Sequence, residues 1–350
     1  MQNDFDANAP KLKFLDLSGY MFSGKAAVSD LVREHCGFHV PNYRSEFDLL
    51  RIPHGLLDLK HALVDEWSWV RSDKAIREFI QLTDVLGRTP QNIYEKLFRC
   101  GFGYSNIYPC FLEKTKKFVE EITEKSWPMQ WPYELSALSP IEHAKLKLLS
   151  KLKGVHAWPE IHYRLCSGDN FLDKAKQYIS DLLVDDPALD YAHTVVTHNM
   201  LEPYDPASGF CFFDDIKSIV VDRDVRDIYM TSIAPSIGFN DVVPLYSKII
   251  GAFDIDVFIS RQKILRRKTN YSANKNILRV YFEDLVLNYD DTCHVVQSFL
   301  NLSATEHQAK LKYFDPEKSI NNVGLWKKAS KAQLAGIYRL EQEFPELCRQ

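Results

Sequence analysis

The sequence predicts an α/β fold in which a parallel sheet is flanked by helices. Short β-branched or alternating segments at Lys11–Leu17, Thr194–Thr197, Ile219–Val221 and Ile277–Phe282 are typical of strands. Helical patterns lie between and after them, as at Thr292–Leu300. Strands that alternate with helices indicate a parallel sheet, and ligands bind at the carboxyl ends of the strands in such sheets.

The charge balance of the chain limits its partners. The 350 residues carry a formal net charge of −4, so no bulk basic field exists for nucleic acid or an anionic membrane. A site for an anion must therefore be local.

Targeting and redox signals point to the cytoplasm. Residues Met1–Pro10 are polar and acidic and lack the features of a signal peptide. No apolar run approaches the roughly 20 residues that a membrane span needs. The seven cysteines are scattered, with no Cys-x-x-Cys pair, which argues against a zinc site or a disulfide framework.

Residues 11–350 are predicted to form one α/β domain with a mostly helical insertion over 42–153. Helical spacing is clear at Lys74–Leu86, Phe111–Lys125 and Ile141–Lys151. Pro, Trp and Tyr residues interrupt these patterns around residues 127–133. We expect the insertion to form the side of the protein that meets an acceptor.

A glycine loop follows the first predicted strand. Gly19-x-x-x-x-Gly24-Lys25 has the spacing of a phosphate-binding loop, in which backbone N–H groups and a helix N-terminus converge on phosphate oxygens. Lys25 supplies a positive charge. Ala26 stands where a Ser or Thr would hold Mg²⁺, which argues against ordinary ATP or GTP hydrolysis. The alternative is an ordinary strand–helix turn with two glycines.

A second polar segment follows the strand at Ile219–Val221. Arg223 ends that strand, and Thr231 follows eight residues later, so a guanidinium and a hydroxyl can be aimed at one anion. On local grounds a surface cluster of salt bridges is an equally good interpretation.

Four segments in order resemble the sulfotransferases that use 3′-phosphoadenosine 5′-phosphosulfate (PAPS) as donor. The loop Phe22-Ser-Gly-Lys-Ala-Ala27 is similar to that family's 5′-phosphosulfate loop, and Ile219–Thr231 looks like its 3′-phosphate segment. Arg279–Leu285 with Phe299–Leu302 resembles its "YEDL … FLGL" region. Lys318–Lys328 resembles the closing "GxW" loop.

The resemblance implies that PAPS is the donor, that its product PAP is released and that no metal is required. The implied donor-binding residues are Phe22, Ser23, Gly24, Lys25, Ala26, Ala27, Arg223, Thr231, Phe282, Asn321 and Trp326. The chain departs from the family pattern at several of these positions.

Three departures concern charge and stacking. Phe22 stands where the family usually has Lys, and the cation follows the glycine instead, at Lys25. Phe282 replaces the adenine-side Tyr of the family, so it can stack but cannot donate a hydrogen bond. The closing segment lacks the family's Arg-Lys-Gly triplet, and Ser319, Asn321 and backbone N–H groups are expected to take its place.

Two residues are candidates for the general base. His198 ends the strand Thr194–Thr197 and resembles the family's catalytic histidine, and its usual pKa suits proton transfer at neutral pH. The alternative interpretation of His198 is a histidine that caps a strand. Glu46 is the second candidate, because some relatives use a carboxylate soon after the loop. The catalytic set is thus His198, Lys25 and Glu46.

The acceptor is expected to meet aromatic side chains. Five of the six tryptophans, Trp67, Trp69, Trp127, Trp131 and Trp158, lie in or just after the insertion. They favour a carbohydrate or glycan acceptor over a small phenol, steroid or lipid, although packing within the insertion itself is the commoner role of Trp.

Two other functional classes remain open from the sequence. One is a P-loop kinase or NTPase, which Gly19, Gly24 and Lys25 support and Ala26 weakens. The other is a non-catalytic nucleotide-binding relative, which the absent lysine at Phe22 favours.

Overall fold

The computed structural model describes residues 12–41, 46–154, 158–184, 194–234, 243–268 and 274–349. The chain divides into two compact units. The first takes in the chain up to Ile52 and from Asp186 onward, and the second is Pro53–Asp185. The sequence prediction of an insertion over 42–153 therefore differs from this division at both ends.

The first unit is built on a five-stranded parallel sheet, as predicted. Its strands are β1 (Lys13–Gly19), β2 (Phe38–His39), β5 (Thr194–His198), β6 (Ile216–Asp222) and β7 (Ile277–Tyr281). Their order across the sheet is β2-β5-β1-β6-β7, and every neighbouring pair is parallel.

Helices cover both faces of this sheet. They are α1 (Lys25–Arg33), α9 (Val225–Ile233), α10 (Val243–Ile250), α11 (Ile255–Leu265), α12 (Phe282–Leu287), α13 (Tyr289–Leu300), α14 (Pro316–Ser319) and α15 (Lys331–Glu343). Short 3₁₀ turns lie at Asp48–Leu50, Pro206–Phe212, Arg266–Lys268, Ala304–Glu306, Ile320–Asn322, Leu325–Lys328 and Pro345–Leu347.

Successive residues of β6 enter different cores, because side chains alternate across a strand. Ile219 and Val221 pack in one buried cluster with α1 and α12, whereas Val220 packs in another with α9, α11 and α15. The β-branched run that predicted this strand is thus buried on both faces, as expected for a central strand.

Two strand boundaries differ from the sequence prediction. β1 continues through Ser18 and Gly19, which pair with Val220 and Val221 of β6, so both belong to the strand and not to the loop. β7 ends at Tyr281, and Phe282 begins α12. Lys11, where the first strand was expected to begin, lies outside the described residues.

The second unit is mostly helical but contains a two-stranded antiparallel sheet that the sequence did not predict. Its helices are α2 (Leu56–Lys60), α3 (Trp69–Gly87), α4 (Ile93–Phe98), α5 (Tyr104–Ile107), α6 (Phe111–Ile122), α7 (Pro140–Lys153) and α8 (Phe171–Val184), with a π-helical turn at His61–Asp65 and a 3₁₀ turn at Pro132–Ala137. Strands β3 (Lys125–Gln130) and β4 (Glu160–Leu165) pair antiparallel.

The pairing of β3 with β4 depends on contacts between residues that are distant in sequence. Trp127 lies opposite Tyr163, and their ring centroids are 4.7 Å apart. Such cross-strand aromatic pairs stabilise a sheet, but only once the strands have met. No helix among the described residues is long and apolar enough to cross a membrane.

Candidate active site

The glycine loop connects the end of β1 to the start of α1, at the carboxyl edge of the sheet. Register places Leu17 beside His198 and Gly19 beside Val221, so β1, β5 and β6 end at this edge together. Helix α1 begins at Lys25, and no side chain of the described residues caps its first turn. The backbone N–H groups of that turn are therefore suited to an anion.

Gly24 gives the loop its sharp turn. Its φ of 84° lies in the left-handed region, and a Cβ atom there would lie 2.5 Å from the Phe282 ring. Glycine is required both by the backbone conformation and by the approach of the ring. Ser23 is buried beside it, and its Oγ atom has no hydrogen-bond partner among the described residues.

Lys25 and Glu46 form an ion pair beside the loop. Lys25 Nζ lies 2.8 Å from Glu46 Oε1. Asn199 Nδ2 donates to the same oxygen over 2.5 Å, while Asn199 Oδ1 accepts a hydrogen bond from the Gly19 amide. The structure thus brings together two of the three predicted catalytic residues and links both, through Asn199, to Gly19 at the end of β1.

His198 lies at the predicted strand end but is wholly buried. Its Nε2 atom is 3.0 Å from Ser29 Oγ on helix α1. In this conformation the imidazole packs between the sheet and the helix, as a histidine that closes a strand end would.

Asp16, on the neighbouring strand β1, stabilises the end of β5. Its carboxylate accepts hydrogen bonds from Thr197 Oγ1 at 3.0 Å and from the Met200 amide at 2.9 Å, and it also contacts Ser18. Burial raises the pKa of Asp16 to about 6, although these hydrogen bonds oppose the rise. The turn that carries His198 and Asn199 is thereby fixed to β1.

Arg223 joins three segments that are distant in sequence. Its Nη1 atom donates to the Phe22 carbonyl at 3.0 Å and to Thr231 Oγ1 at 3.2 Å, and its Nη2 atom donates to the Asn322 carbonyl. The side chain is nearly buried, and Nε has no partner among the described residues. The glycine loop, α9 and the closing segment therefore meet at one guanidinium.

Asp227 holds the closing segment in place. Its two carboxylate oxygens accept hydrogen bonds from the Gly324 amide at 2.7 Å and the Trp326 amide at 3.0 Å. Asp227 also lies 3.9 Å from Arg223 Nη2. Burial raises the pKa of the Asp227 carboxyl, and the two amides and Arg223 oppose that rise. Asp227, in the first turn of α9, therefore lies next to Arg223 and also holds the segment that is predicted to close over a nucleotide.

The other closing-segment residues have separate surroundings. The Trp326 ring lies 3.7 Å from the guanidinium carbon of Arg226, which itself pairs with Asp224 and Glu341. Asn321 is exposed and donates to the Lys318 carbonyl at 3.2 Å. Arg226 is therefore saturated by carboxylates and an aromatic ring.

Phe282 is not placed as predicted for a ring that stacks on adenine. It is only 5% exposed, Gly24 lies against it and the Arg223 guanidinium carbon is 5.2 Å from its centroid. The reason is that Phe282 begins α12 and turns into the core beneath the loop instead of ending a strand. It supports the loop from below.

Two buried carboxylates lie next to this site. Asp222 ends β6 and is paired with Arg266 and Arg279. Burial alone would raise the pKa of Asp222, but the two guanidinium groups outweigh it and hold the pKa below its ordinary value. Glu283 accepts the Asp224 amide at 3.0 Å, and burial raises its pKa to about 7.

Sequence reasoning missed Asn199 and Asp227. Asn199 directly follows the predicted base, and Asp227 is one helical turn beyond Arg223, so both lay next to residues already singled out. Their partners, Glu46 for one and the closing segment for the other, are far away in sequence. Only the fold could reveal those contacts.

Aromatic side chains of the second unit lie around strands β3 and β4, where Trp69 and Trp127 both contact Tyr163. Trp69 and Trp131 have centroids 5.2 Å apart in an edge-to-face arrangement, and Trp67 donates to the Cys166 carbonyl at 2.8 Å. Trp67, Trp69, Trp127 and Trp158 are each more than 40% exposed. A cavity of about 710 Å³ also lies in this unit, lined in part by Ile80, Leu112, Val119, Lys125 and His162.

The part of the chain that the structure describes contains no cluster of potential metal ligands. No group of three or more His, Cys, Asp or Glu side chains there is arranged to hold an ion.

Comparison with known proteins finds similar solved structures but no relative by sequence. No family model and no curated protein matches the chain. Its structure is similar to the sulfotransferase domain of the Synechococcus PCC 7002 olefin synthase, with 12% identity, 96% of each chain covered and a TM-score of 0.40. It is also similar to a sulfotransferase from Mycobacterium avium, with 9% identity, 97% of this chain and 76% of the other covered and a TM-score of 0.38.

A third similar structure is retinol dehydratase in complex with androsterone and the inactive cofactor PAP. The identity is 14%, the TM-score is 0.36, and 97% of this chain and 82% of the other are covered. At these identities the case for a function must come from the chain's own residues.

Proposed function

We propose that the chain is a sulfotransferase that transfers the sulfuryl group of PAPS to a hydroxyl of an acceptor. The observation that carries this proposal is the double contact of Arg223 with the Phe22 carbonyl and Thr231 Oγ1. It joins a loop suited to a 5′-phosphate to a guanidinium–hydroxyl pair suited to a second phosphate. A donor with both a 5′- and a 3′-phosphate fits two adjacent anion sites, whereas ATP has no phosphate on its 3′ oxygen.

In this proposal the chain's residues divide the work of binding the donor. The uncapped first turn of α1 and Lys25 hold the 5′-phosphosulfate, and Arg223 with Thr231 holds the 3′-phosphate. Asn321 and Trp326 belong to the segment that closes over the nucleotide. Phe22, Ser23, Ala26 and Ala27 contribute backbone and shape to the loop.

For the base we favour Glu46 over His198. A base must come within hydrogen-bond reach of the acceptor hydroxyl. The Glu46 side chain is 37% exposed and adjoins the loop through Lys25, whereas His198 is wholly buried and bonded to Ser29. Asn199 orients the Glu46 carboxylate and Asp16 fixes the turn that bears Asn199.

The reaction is an in-line displacement at sulfur. The acceptor oxygen forms a bond to sulfur as the bond from sulfur to the 5′-phosphate oxygen breaks, and PAP leaves with that oxygen and its electron pair. The hydroxyl proton passes to the Glu46 carboxylate. Lys25 and the loop amides stabilise the charge that develops on the leaving phosphate. No step in this scheme uses a metal.

For the acceptor we propose a carbohydrate or glycan hydroxyl. The support is the set of exposed tryptophan faces in the second unit, since flat aromatic rings stack on the apolar faces of sugars. Turnover with a panel of sugars, phenols and sterols tests this class directly.

The donor is tested by calorimetric titration with 3′,5′-ADP, 5′-AMP and ATP with Mg²⁺. We expect 3′,5′-ADP to bind most tightly. Thr231→Val should weaken binding of 3′,5′-ADP by roughly 10- to 150-fold, which corresponds to the loss of a hydrogen bond to a charged group, and leave binding of 5′-AMP unchanged. Ser232→Ala is the matched control, because Ser232 also bonds the carbonyl four residues back but does not contact Arg223.

Binding of ATP with Mg²⁺ alone would contradict the proposal and favour a P-loop kinase or NTPase. Selective binding of 3′,5′-ADP without turnover on any acceptor would favour a non-catalytic relative.

A further inference from the structure

Helix α7 of the second unit stands apart from the core. It begins after Ser139, which forms a capping box with Glu142, and it ends at Gly154 in the left-handed region. None of its residues is buried. Its caps are complete within the segment itself, so the helix does not depend on a packed face for its ends.

The apolar side of α7 is exposed. Its less exposed positions are His143, Leu146 and Ser150, which share one face of the helix. The apolar residues on the other side are 69% exposed at Ile141, 59% at Leu148 and 75% at Leu152. A helix that served only the unit's own core would be turned the other way.

Lysines surround this outward apolar stripe. Lys145, Lys147, Lys151 and Lys153 are all exposed. Glu142 is the only acidic residue of α7, and its carboxylate is bonded to the Ser139 amide at 2.8 Å. A chain of net charge −4 therefore concentrates positive charge along one exposed apolar helix.

The charge pattern selects the partner. A second copy of the chain docked through the same stripe would bring the two sets of lysines together, which is unfavourable. A surface that is apolar inside and anionic outside matches both features, because lysine stems can lie along apolar groups while their ammonium groups reach anionic headgroups.

We infer that α7 is a docking surface for anionic lipid membranes. The helix lies in the plane of the interface, with Ile141, Leu148 and Leu152 among the acyl chains and the lysines at the headgroups. This inference is independent of the reaction proposed above.

The test is co-sedimentation of the full chain with vesicles of phosphatidylcholine alone and with added phosphatidylglycerol. We expect binding to the anionic vesicles. Leu148→Ser with Leu152→Ser should weaken that binding by tenfold or more, since burial of each leucine is worth roughly tenfold. Lys147→Glu with Lys151→Glu should weaken it by roughly fivefold or more for each charge removed.

Two controls separate α7 from the rest of the surface. Lys116→Glu with Lys117→Glu changes the same number of exposed charges on α6, and Ile264→Ser removes an apolar side chain that is 62% exposed on α11. Both should leave vesicle binding unchanged, with circular dichroism reporting that every variant is folded.

Three outcomes would overturn the inference. They are equal binding to neutral and anionic vesicles or to neither, full binding by the folded α7 variants, and self-association in sedimentation velocity that the leucine variants abolish. The last would assign the stripe to a second copy of the chain.

Discussion

Lys25 Nζ lies 2.8 Å from Glu46 Oε1 across a gap of 21 residues in the chain. The pair places a cation and a carboxylate at the mouth of the glycine loop. Since Asn199 donates to the same carboxylate oxygen, Glu46 has a fixed orientation without being enclosed. This relationship is the basis of the first two predictions.

Glu46→Gln is expected to lower turnover by about 10²- to 10⁴-fold, because glutamine cannot accept the hydroxyl proton. Donor affinity should stay within a few-fold of the original value, since the amide keeps an acceptor for Asn199. Steady-state rates with PAPS and calorimetry with 3′,5′-ADP measure the two effects. His198→Gln is the comparison: a folded variant with far lower turnover would return the role of base to His198.

Lys25→Met is expected to lower turnover by about 10²- to 10³-fold, the usual cost of removing one group that stabilises the leaving oxygen. Single-turnover rates isolate this step from binding. Lys328→Met, in the closing segment, is the control for loss of a lysine near the site and should keep most activity. Equal losses in both variants would remove Lys25 from the chemistry.

Gly24→Ala is expected to destabilise the protein by roughly 2–4 kcal/mol, from the left-handed backbone and from contact with Phe282. Gly37→Ala is the matched control, because Gly37 has the same φ of 84° and no atom of the described residues lies within 4 Å of its Cβ position. The control should lose only about 1–2 kcal/mol. Urea unfolding of both variants separates backbone strain from the contact with Phe282. Equal losses of stability would mean that the Phe282 ring moves aside without cost.

Glu283→Gln is expected to remove a pH dependence of stability. The Glu283 pKa is raised from 4.5 to about 7, so its contribution is greatest below pH 4.5 and is lost as the pH rises through 7. The variant should therefore gain stability relative to the original protein between pH 5 and 8, by up to roughly 3 kcal/mol. Denaturant unfolding at pH 5 and at pH 8 measures this difference in stability, and Glu120→Gln, at an exposed position, is the control. A constant difference across the range would contradict it.

Asp227→Asn is expected to loosen the closing segment, because one acceptor for the Gly324 and Trp326 amides is lost. The cost of the lost bond is roughly 1–3 kcal/mol. Hydrogen exchange at Gly324 and Trp326 should quicken by about tenfold or more, with little change in β6. Asp256→Asn, on the surface of α11, is the control. Unchanged exchange would mean that Arg223 and its bond to Asn322 hold the segment alone.

Local sequence patterns were sufficient to predict the parallel sheet but not the pairing of β3 with β4. Ile219–Val221 carries its own strand signal because both faces of the strand are buried, and the loop after β1 is set by Gly24. Residues 127–133 have no such signal, because Trp127 becomes a strand residue only when Tyr163 pairs with it.

For the candidate site, the sequence predicts residues that the fold brings into contact, but not their surroundings. Arg223 contacts Thr231, and Lys25 contacts Glu46. The burial of Phe282 and His198 could not be predicted, because it depends on how α12 and α1 pack on the sheet. Partners such as Asn199 for Glu46 join segments more than a hundred residues apart.

The burial of Arg223 has a consequence for the energetics of nucleotide binding. At 5% exposure this cation has almost no hydration shell or counterion atmosphere to give up, because the Phe22 and Asn322 carbonyls already replace water. A 3′-phosphate would exchange with protein dipoles instead of displacing ions. Its share of the affinity, taken as the ratio between 3′,5′-ADP and 5′-AMP, should therefore vary little with ionic strength.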